Sequence, residues 1–209
     1  WVSAQAMRAG VHPPALAERI AGHPWCAMAT ARQDGLLELR LSAAAVAAAL
    51  RELAAGAGMP PAPAGELGPL DPSSAWGAAA GLGHARAARV ARQAGALGLD
   101  AASATDEDVA AGLTDPLEQA LVVELLDAPR RLDAPRRLDA QVLASGVVGA
   151  LAAVAAAYLP WEQSCPAIPT RPGALVQPYH RTRVLISQAG LRVLERGMAL
   201  LGVSAPERM

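Results

Sequence analysis

Residues 140–161 read Ala-Gln-Val-Leu-Ala-Ser-Gly-Val-Val-Gly-Ala-Leu-Ala-Ala-Val-Ala-Ala-Ala-Tyr-Leu-Pro-Trp and contain no charged residue. The stretch is long enough to span a bilayer, which takes about 20 apolar residues. It is rich in alanine rather than leucine, and it contains polar side chains such as Gln141 and Ser145. We therefore predict a buried helix over 138–159 near the centre of a bundle, kinked or ended by Pro160. A membrane span is the alternative.

Residues that favour helix N-caps precede the neighbouring predicted helices. Ser74 stands before an alanine-rich stretch, Thr105 precedes two acids, and Asp115 is followed by proline, a residue suited to the first helical turn. A proline-rich loop at 166–173 precedes the last helix. The predicted helices are 75–97, one starting at 105, one starting at 116, 138–159 and 175–201. Residues 75–209 are thus predicted to form an all-helical bundle of about five helices.

The N-terminal part has a different pattern. A short helix is predicted over 14–21 and an extended run after it. Residues 35–42 alternate leucine with polar residues, which is typical of a strand with one buried face. Ser42 then caps a helix that continues to about Ala55. We predict a small α+β domain over 1–53, with its strand at or near a sheet edge.

Two segments lack the pattern of a regular element. Residues 56–74 hold five prolines and four glycines, so we assign 54–74 to a linker and 75–209 to the second domain. Residues 126–131, Leu-Asp-Ala-Pro-Arg-Arg, are repeated at 132–137. Two copies are too few for a solenoid. We predict a loop there that tolerates insertion.

Composition excludes several classes of protein. The 209 residues are 53% hydrophobic and 18% charged, which argues against wholesale disorder. The net charge of −1 excludes a uniformly basic nucleic-acid coat. Cys26 and Cys165, alone and far apart, form neither a disulfide framework nor a zinc site. We expect no metal, no cofactor and, without a visible signal peptide, a cytoplasmic protein that does not enter membranes.

The charges are unevenly distributed along the chain. Residues 74–99 contain three arginines and no acid, 163–209 contain six arginines and two acids, and 100–127 contain eight acids and no arginine. One folded face can therefore be basic enough to follow RNA phosphates. The alternative is that these arginines are solvated and balance the acidic segment. Arg86, Arg89 and Arg92 form a stripe along one side of a predicted helix.

Several stretches resemble bacterial arginyl-tRNA synthetases. Residues 83–90, Gly-His-Ala-Arg-Ala-Ala-Arg-Val, resemble the Tyr-Ala-His-Ala-Arg opening of their anticodon-binding domain, with Leu82 in place of the tyrosine. Residues 200–209, Leu-Leu-Gly-Val-Ser-Ala-Pro-Glu-Arg-Met, are similar to the characteristic end of these enzymes. Further similar stretches are 113–118, 158–165 and 183–185. The resemblance covers about 75–209. Residues 15–42, with Gly-Leu-Leu-Glu-Leu at 35–39, resemble the back half of the N-terminal additional domain of these synthetases.

The resemblance implies a mainly α protein, with a DALR-type anticodon-binding bundle and a truncated α+β N-terminal domain. Only the linker stands where the family has its catalytic domain. The ATP-binding signatures His-Ile-Gly-His and Lys-Met-Ser-Lys-Ser are absent, and the chain has no lysine. The chain is therefore predicted not to be an enzyme.

The sequence is compatible with two functions. The first is a non-catalytic tRNA-binding module, for arginine tRNA or a wider set. The second is a protein-interaction or regulatory module that kept the bundle without RNA binding. For the first, Arg86, Arg89, Arg181 and Arg183 are expected to line one face with Met209 at its rim. His84 is a base reader or a packing residue, and Trp161, with Tyr158, is a stacking platform or core. The predicted RNA-binding residues are His84, Arg86, Arg89, Arg92, Trp161, Arg181, Arg183 and Met209.

Overall fold

The computed structural model describes residues 2–3, 12–57, 74–133, 140–171 and 173–205. The chain divides into two units, Trp1–Ala48 and Ala49–Met209. The predicted linker falls largely on 58–73, outside the described residues, so the predicted domain limits at 53 and 74 stay a prediction.

The first unit is α+β, as predicted. Helix α1 (Pro13–Ala21) is followed by β2 (Cys26–Ala31) and β3 (Leu37–Leu41), and β3 also pairs with a two-residue strand, β1 (Val2–Ser3). The sheet is antiparallel with the order β1-β3-β2, so β3, predicted at or near an edge, is the central strand between two edge strands. Gly35 (φ 78°) closes the turn between β2 and β3. The leucine alternation is confirmed, because Leu37 is buried while Glu38 is exposed.

Helix α2 (Ala43–Ala54) begins in the first unit and ends in the second. The Ser42 hydroxyl accepts from the Ala45 N–H at 3.2 Å, which confirms the predicted cap. The second unit then contains five α helices among its described residues. They are α3 (Ala75–Ala96), α4 (Asp106–Gly112), α5 (Pro116–Leu132), α6 (Ala140–Ser164) and α7 (Pro178–Leu200), with a 3₁₀ turn at Ala101–Ser103.

The predicted caps of the bundle helices are present. Ser74 accepts from the Gly77 N–H, and Thr105 and Asp115 each form a capping box with the acid three residues later. In such a box the two residues satisfy each other's unpaired backbone donors. A mainly α fold with a small α+β part is therefore confirmed.

Two helices, α6 and α7, each pack against at least three other helices of the bundle. The C-terminal helix α7 packs against α3, α4, α5 and α6, whereas α6 packs against α3, α5 and α7. The sequence predicts a buried helix here, and α6 is buried along one side, whereas Ser145, Gly149 and Ala156 are exposed on the other. Pro160 lies inside α6 and does not end it.

Helix α6 also meets a simple test for a membrane span. Residues Ala144–Ser164 are long and apolar enough to cross a membrane, with a mean hydropathy of 1.5. Core helices of soluble proteins meet the same criterion.

The duplicated segment is only partly a loop. Its first copy belongs to α5, which ends at Leu132 and contains Pro129. Most of the second copy lies outside the described residues. The prediction of a tolerant loop is therefore wrong for residues 126–131.

Candidate nucleic-acid interface

The α3 arginines meet one carboxylate on the neighbouring helix. Nη1 of Arg86 donates to Oε2 of Glu162 at 2.7 Å, and Nη2 of Arg89 donates to the other oxygen, Oε1. Glu162 is mostly buried, with 12% of its side chain exposed, whereas Arg89 is 54% exposed. The two guanidinium groups therefore join α3 to α6 and keep one unit of positive charge between them. Arg92 is exposed one turn farther along α3.

The C-terminal arginines reach two other carboxylates. Nε of Arg183 donates to Oε1 of Glu118, which is fully buried, and Nη1 of Arg183 donates to the Pro166 carbonyl at 3.2 Å. Arg181 approaches Asp108 more loosely, with 3.7 Å between Nη1 and Oδ2, and is 45% exposed. The structure thus anchors Arg183 firmly and leaves Arg181 accessible.

These ion pairs show that the acidic and basic segments of the sequence are in contact in the folded bundle. Glu118 and Asp108 belong to the acidic segment 100–127, which is separate from the arginines in sequence but touches them in the bundle. Arg181 and Arg183 thus pair with carboxylates of the acidic segment. Arg86 and Arg89 pair instead with Glu162, which lies outside that segment. The structure brings Arg86 and Arg89 together, while Arg181 and Arg183 go to separate partners.

Two predicted contact residues are buried. Trp161 has no exposed surface, and its ring packs against Tyr158 with centroids 5.3 Å apart and planes at 59°. His84 is 6% exposed within α3. An RNA base cannot stack on a ring that the core already encloses, so Trp161 as a stacking platform is a wrong prediction. For His84 the packing interpretation holds.

Tyr158 completes this part of the core. Its hydroxyl lies 2.8 Å from the Ser187 hydroxyl, and burial raises the pKa of the phenol. It remains a neutral core residue at every working pH. Met209 lies outside the described residues.

Sequence reasoning missed the residues that organise the arginines. Glu162 is the only acid between Asp139 and Glu195, and that isolation was an available signal for a partner of basic residues. Glu118, in the first turn of α5, gave no sequence signal of its pairing with Arg183. Tyr179 was missed entirely, although it is 39% exposed and carries the Arg183 guanidinium 4.6 Å from its ring centroid. No local sequence pattern distinguishes that tyrosine from a buried one.

The described residues offer no arrangement for metal chemistry. Among them, no group of three or more His, Cys, Asp or Glu side chains lies close enough to hold an ion. Burial raises the pKa of the Cys165 thiol, which makes this thiol a poor nucleophile. The arrangement is one of paired and surplus positive charge, suited to binding anions.

Comparison with known proteins finds that the chain is similar to part of several arginine–tRNA ligases. An arginine–tRNA ligase from Clavibacter sepedonicus is 36% identical over 126 residues, which is 60% of this chain and 21% of that protein. The arginine–tRNA ligase from Micrococcus luteus is 37% identical over 133 residues, 60% of this chain and 22% of that protein. The chain thus spans about a fifth of the length of these relatives. No solved structure matches it significantly. The DALR anticodon binding domain family matches residues 82–209, more than half of the chain. The chain belongs to the DALR anticodon binding domain family.

Proposed function

We propose that the helical bundle binds tRNA, without catalysing aminoacylation, at a surface built on α3. The observation that carries this proposal is the sharing of Glu162 by Arg86 and Arg89. Two fixed guanidinium groups with one carboxylate retain a positive charge at a defined place, and this is the requirement for holding a phosphate. Burial of Glu162 keeps the carboxylate itself away from the RNA.

Other predicted residues extend the same surface in this proposal. Arg92 continues the α3 stripe, and Arg181 is exposed enough to reach a second phosphate. Met209 contributes at the rim, as the resemblance to synthetases implies. His84 and Trp161 act by packing beneath the surface. Arg183 acts from its anchored position over Tyr179, with its guanidinium 4.6 Å from the ring centroid.

The relatives support tRNA as the partner. Both relatives described above are named arginine–tRNA ligases, so arginine tRNA is the first RNA to test. Leu82 replaces the tyrosine that the synthetases have before their Ala-His-Ala-Arg stretch, and stacking on an aromatic ring contributes about 1–3 kcal/mol per base. We therefore expect a wider tRNA range than that of a synthetase. The absence of lysine and of both ATP-binding signatures supports a non-catalytic role, and we place the protein in the cytoplasm.

A gel-shift titration tests this function. Bulk tRNA and a transcript of arginine tRNA are titrated with the full chain at low and at physiological salt. Binding that weakens as salt rises is expected, since phosphate contacts release counterions. Failure to shift either RNA at low salt would refute the proposal.

One observation favours a second candidate function. The outward side of α6, with Ser145, Gly149 and Ala156 exposed, carries no charge although it is at the surface. A protein partner that covers this side would make the bundle an interaction module instead. A chain that binds no tRNA but forms a stable complex with a protein through α6 would support this second function.

A further inference from the structure

The start of α7 and the loop before it form a hollow about 340 Å³ in volume. We call it the Tyr179 hollow. Its lining includes Pro166, Ile168, Pro169, Arg171, Tyr179 and Arg183. Its volume lies at the lower end of the range for small-ligand sites, roughly 300–1,000 Å³. A single nucleotide fits this size, whereas a folded element does not.

The ring of Tyr179 is exposed to solvent and is held in place by Arg183. In the second unit, Tyr179 is the exposed aromatic residue of the described part, because Trp76 is half-buried and Tyr158 and Trp161 are buried. Arg183 stacks on the ring of Tyr179 and is itself held by buried Glu118. The ring is therefore ordered before a ligand arrives, which reduces the entropy lost on binding.

The polar groups of the hollow suit an anion. No Asp or Glu is among its lining residues. Arg171 is exposed and makes no ion pair with any residue that the structure describes. His180 also lines the hollow, and its Nδ1 accepts from the Gln177 N–H at 2.9 Å. Nε2 of His180 must then carry the proton and is left as a donor.

We propose that the Tyr179 hollow binds one unpaired nucleotide of RNA, with the base on Tyr179 and the phosphate at Arg171. The proposal rests on the proposed tRNA binding and names a site separate from the α3 arginines. Single-stranded RNA is recognised by aromatic rings and arginine planes that stack on splayed bases. The Tyr179 hollow has both features. Tyr179 is exposed and stacks on Arg183, and Arg171 lies in the same lining, which contains no acid.

The experiment uses fluorescence anisotropy to measure the tRNA affinity of three test variants and one control variant of the full chain. Tyr179→Leu removes the ring and is expected to weaken binding by about 5-fold or more, with little change in salt dependence. Tyr179→Phe retains the ring and should bind like the parent. Arg171→Gln should reduce the salt slope by about 0.7, the value for a phosphate contact in a single strand. Val123→Ala is the matched control, because Val123 is also 39% exposed and lies outside the hollow.

Ultraviolet cross-linking to tRNA gives a second, positional readout, with an adduct expected at Tyr179. Parent-like affinity of Tyr179→Leu, while Arg89→Gln weakens binding, would overturn this inference and leave the proposed function standing. If the parent chain binds no tRNA, both the proposed function and this inference are refuted. Binding of a glutamate-rich peptide that depends on Tyr179, with tRNA affinity unaffected by Tyr179→Leu, would assign the hollow to a protein partner and overturn the inference.

Discussion

Nε of Arg183 donates a hydrogen bond to Oε1 of Glu118, a carboxylate with no exposed surface, and so joins the C-terminal helix to the start of α5. Only 17% of the Arg183 side chain is exposed. A buried charge is tolerated when it is paired, and loss of one partner leaves the other uncompensated. The pair therefore adds a buried charged contact between α7 and the start of α5 to the packing of these helices.

Replacing this arginine should destabilise the bundle strongly. Arg183→Gln strands the Glu118 charge, so the free energy of unfolding should fall by about 3 kcal/mol or more, as measured by urea denaturation. Adding Glu118→Gln removes the stranded charge and should recover most of the loss. The matched control is Arg130→Gln, because Arg130 pairs with Asp127 at the surface and should contribute almost nothing. Equal losses from Arg183→Gln and Arg130→Gln would show that the buried pair is unimportant.

Close packing of α6 on α7 gives a second prediction. A Cβ at Gly197 would lie 2.5 Å from Cδ2 and 2.9 Å from Cγ of Leu151, so Gly197→Ala should cost about 1–3 kcal/mol in thermal or urea unfolding. A Cβ at Gly149, on the exposed side of α6, would meet nothing within 4 Å. Gly149→Ala should therefore stabilise the helix by up to about 1 kcal/mol. If both variants shift stability in the same direction, the packing of α6 on α7 is not as described.

The cap of α7 predicts a dependence on pH. Burial lowers the pKa of His180, and the nearby Arg183 charge lowers it further. The unfolded chain then takes up the proton first as the pH falls. The stabilisation is full above the unfolded pKa of about 6.5 and is lost as the pH falls through the folded pKa.

The free energy of unfolding should therefore decrease between about pH 7.5 and about 5.5. His180→Asn keeps an acceptor for the Gln177 N–H but does not titrate, so its decrease over the same range should be smaller. The other titrating groups are present in both proteins and cancel in the comparison. Identical pH profiles would rule out a role for His180 in this dependence.

Catalysis provides a prediction of a different kind. The purified chain should give no ATP–pyrophosphate exchange with arginine, because it has neither ATP-binding signature and no lysine. The control is a bacterial arginine–tRNA ligase in the same assay. Exchange that persists after removal of contaminating synthetase would contradict a non-catalytic role.

Much of the fold follows from local sequence signals. Ser74, Thr105 and Asp115 begin their helices where their side chains satisfy free backbone N–H groups, and this chemistry is readable without tertiary structure. The central position of β3 in the sheet could not be predicted from the sequence, because its neighbour β1 is only two residues long and has no periodicity. The apolar pattern of α6 also could not reveal that one side remains exposed, since small residues suit both environments.

The site was less predictable than the fold. Arg86 and Arg89 were identified from charge, but their shared partner Glu162 is 73 or more residues away in sequence. Whether an arginine is anchored, as Arg183 is, depends on long-range packing. The same holds for aromatic residues, since Trp161 is buried and Tyr179 is exposed.

The salt dependence of tRNA binding by Arg89→Gln is the most direct test of the α3 surface. Arg89 is 54% exposed, and Arg86 alone can hold Glu162 in its absence. If the α3 arginines hold phosphates, the plot of log affinity against log salt should be shallower by about 0.7–0.9 in this variant. Arg130→Gln, on α5, should retain the parent slope. Equal slopes for Arg89→Gln and the parent would contradict tRNA binding at this surface.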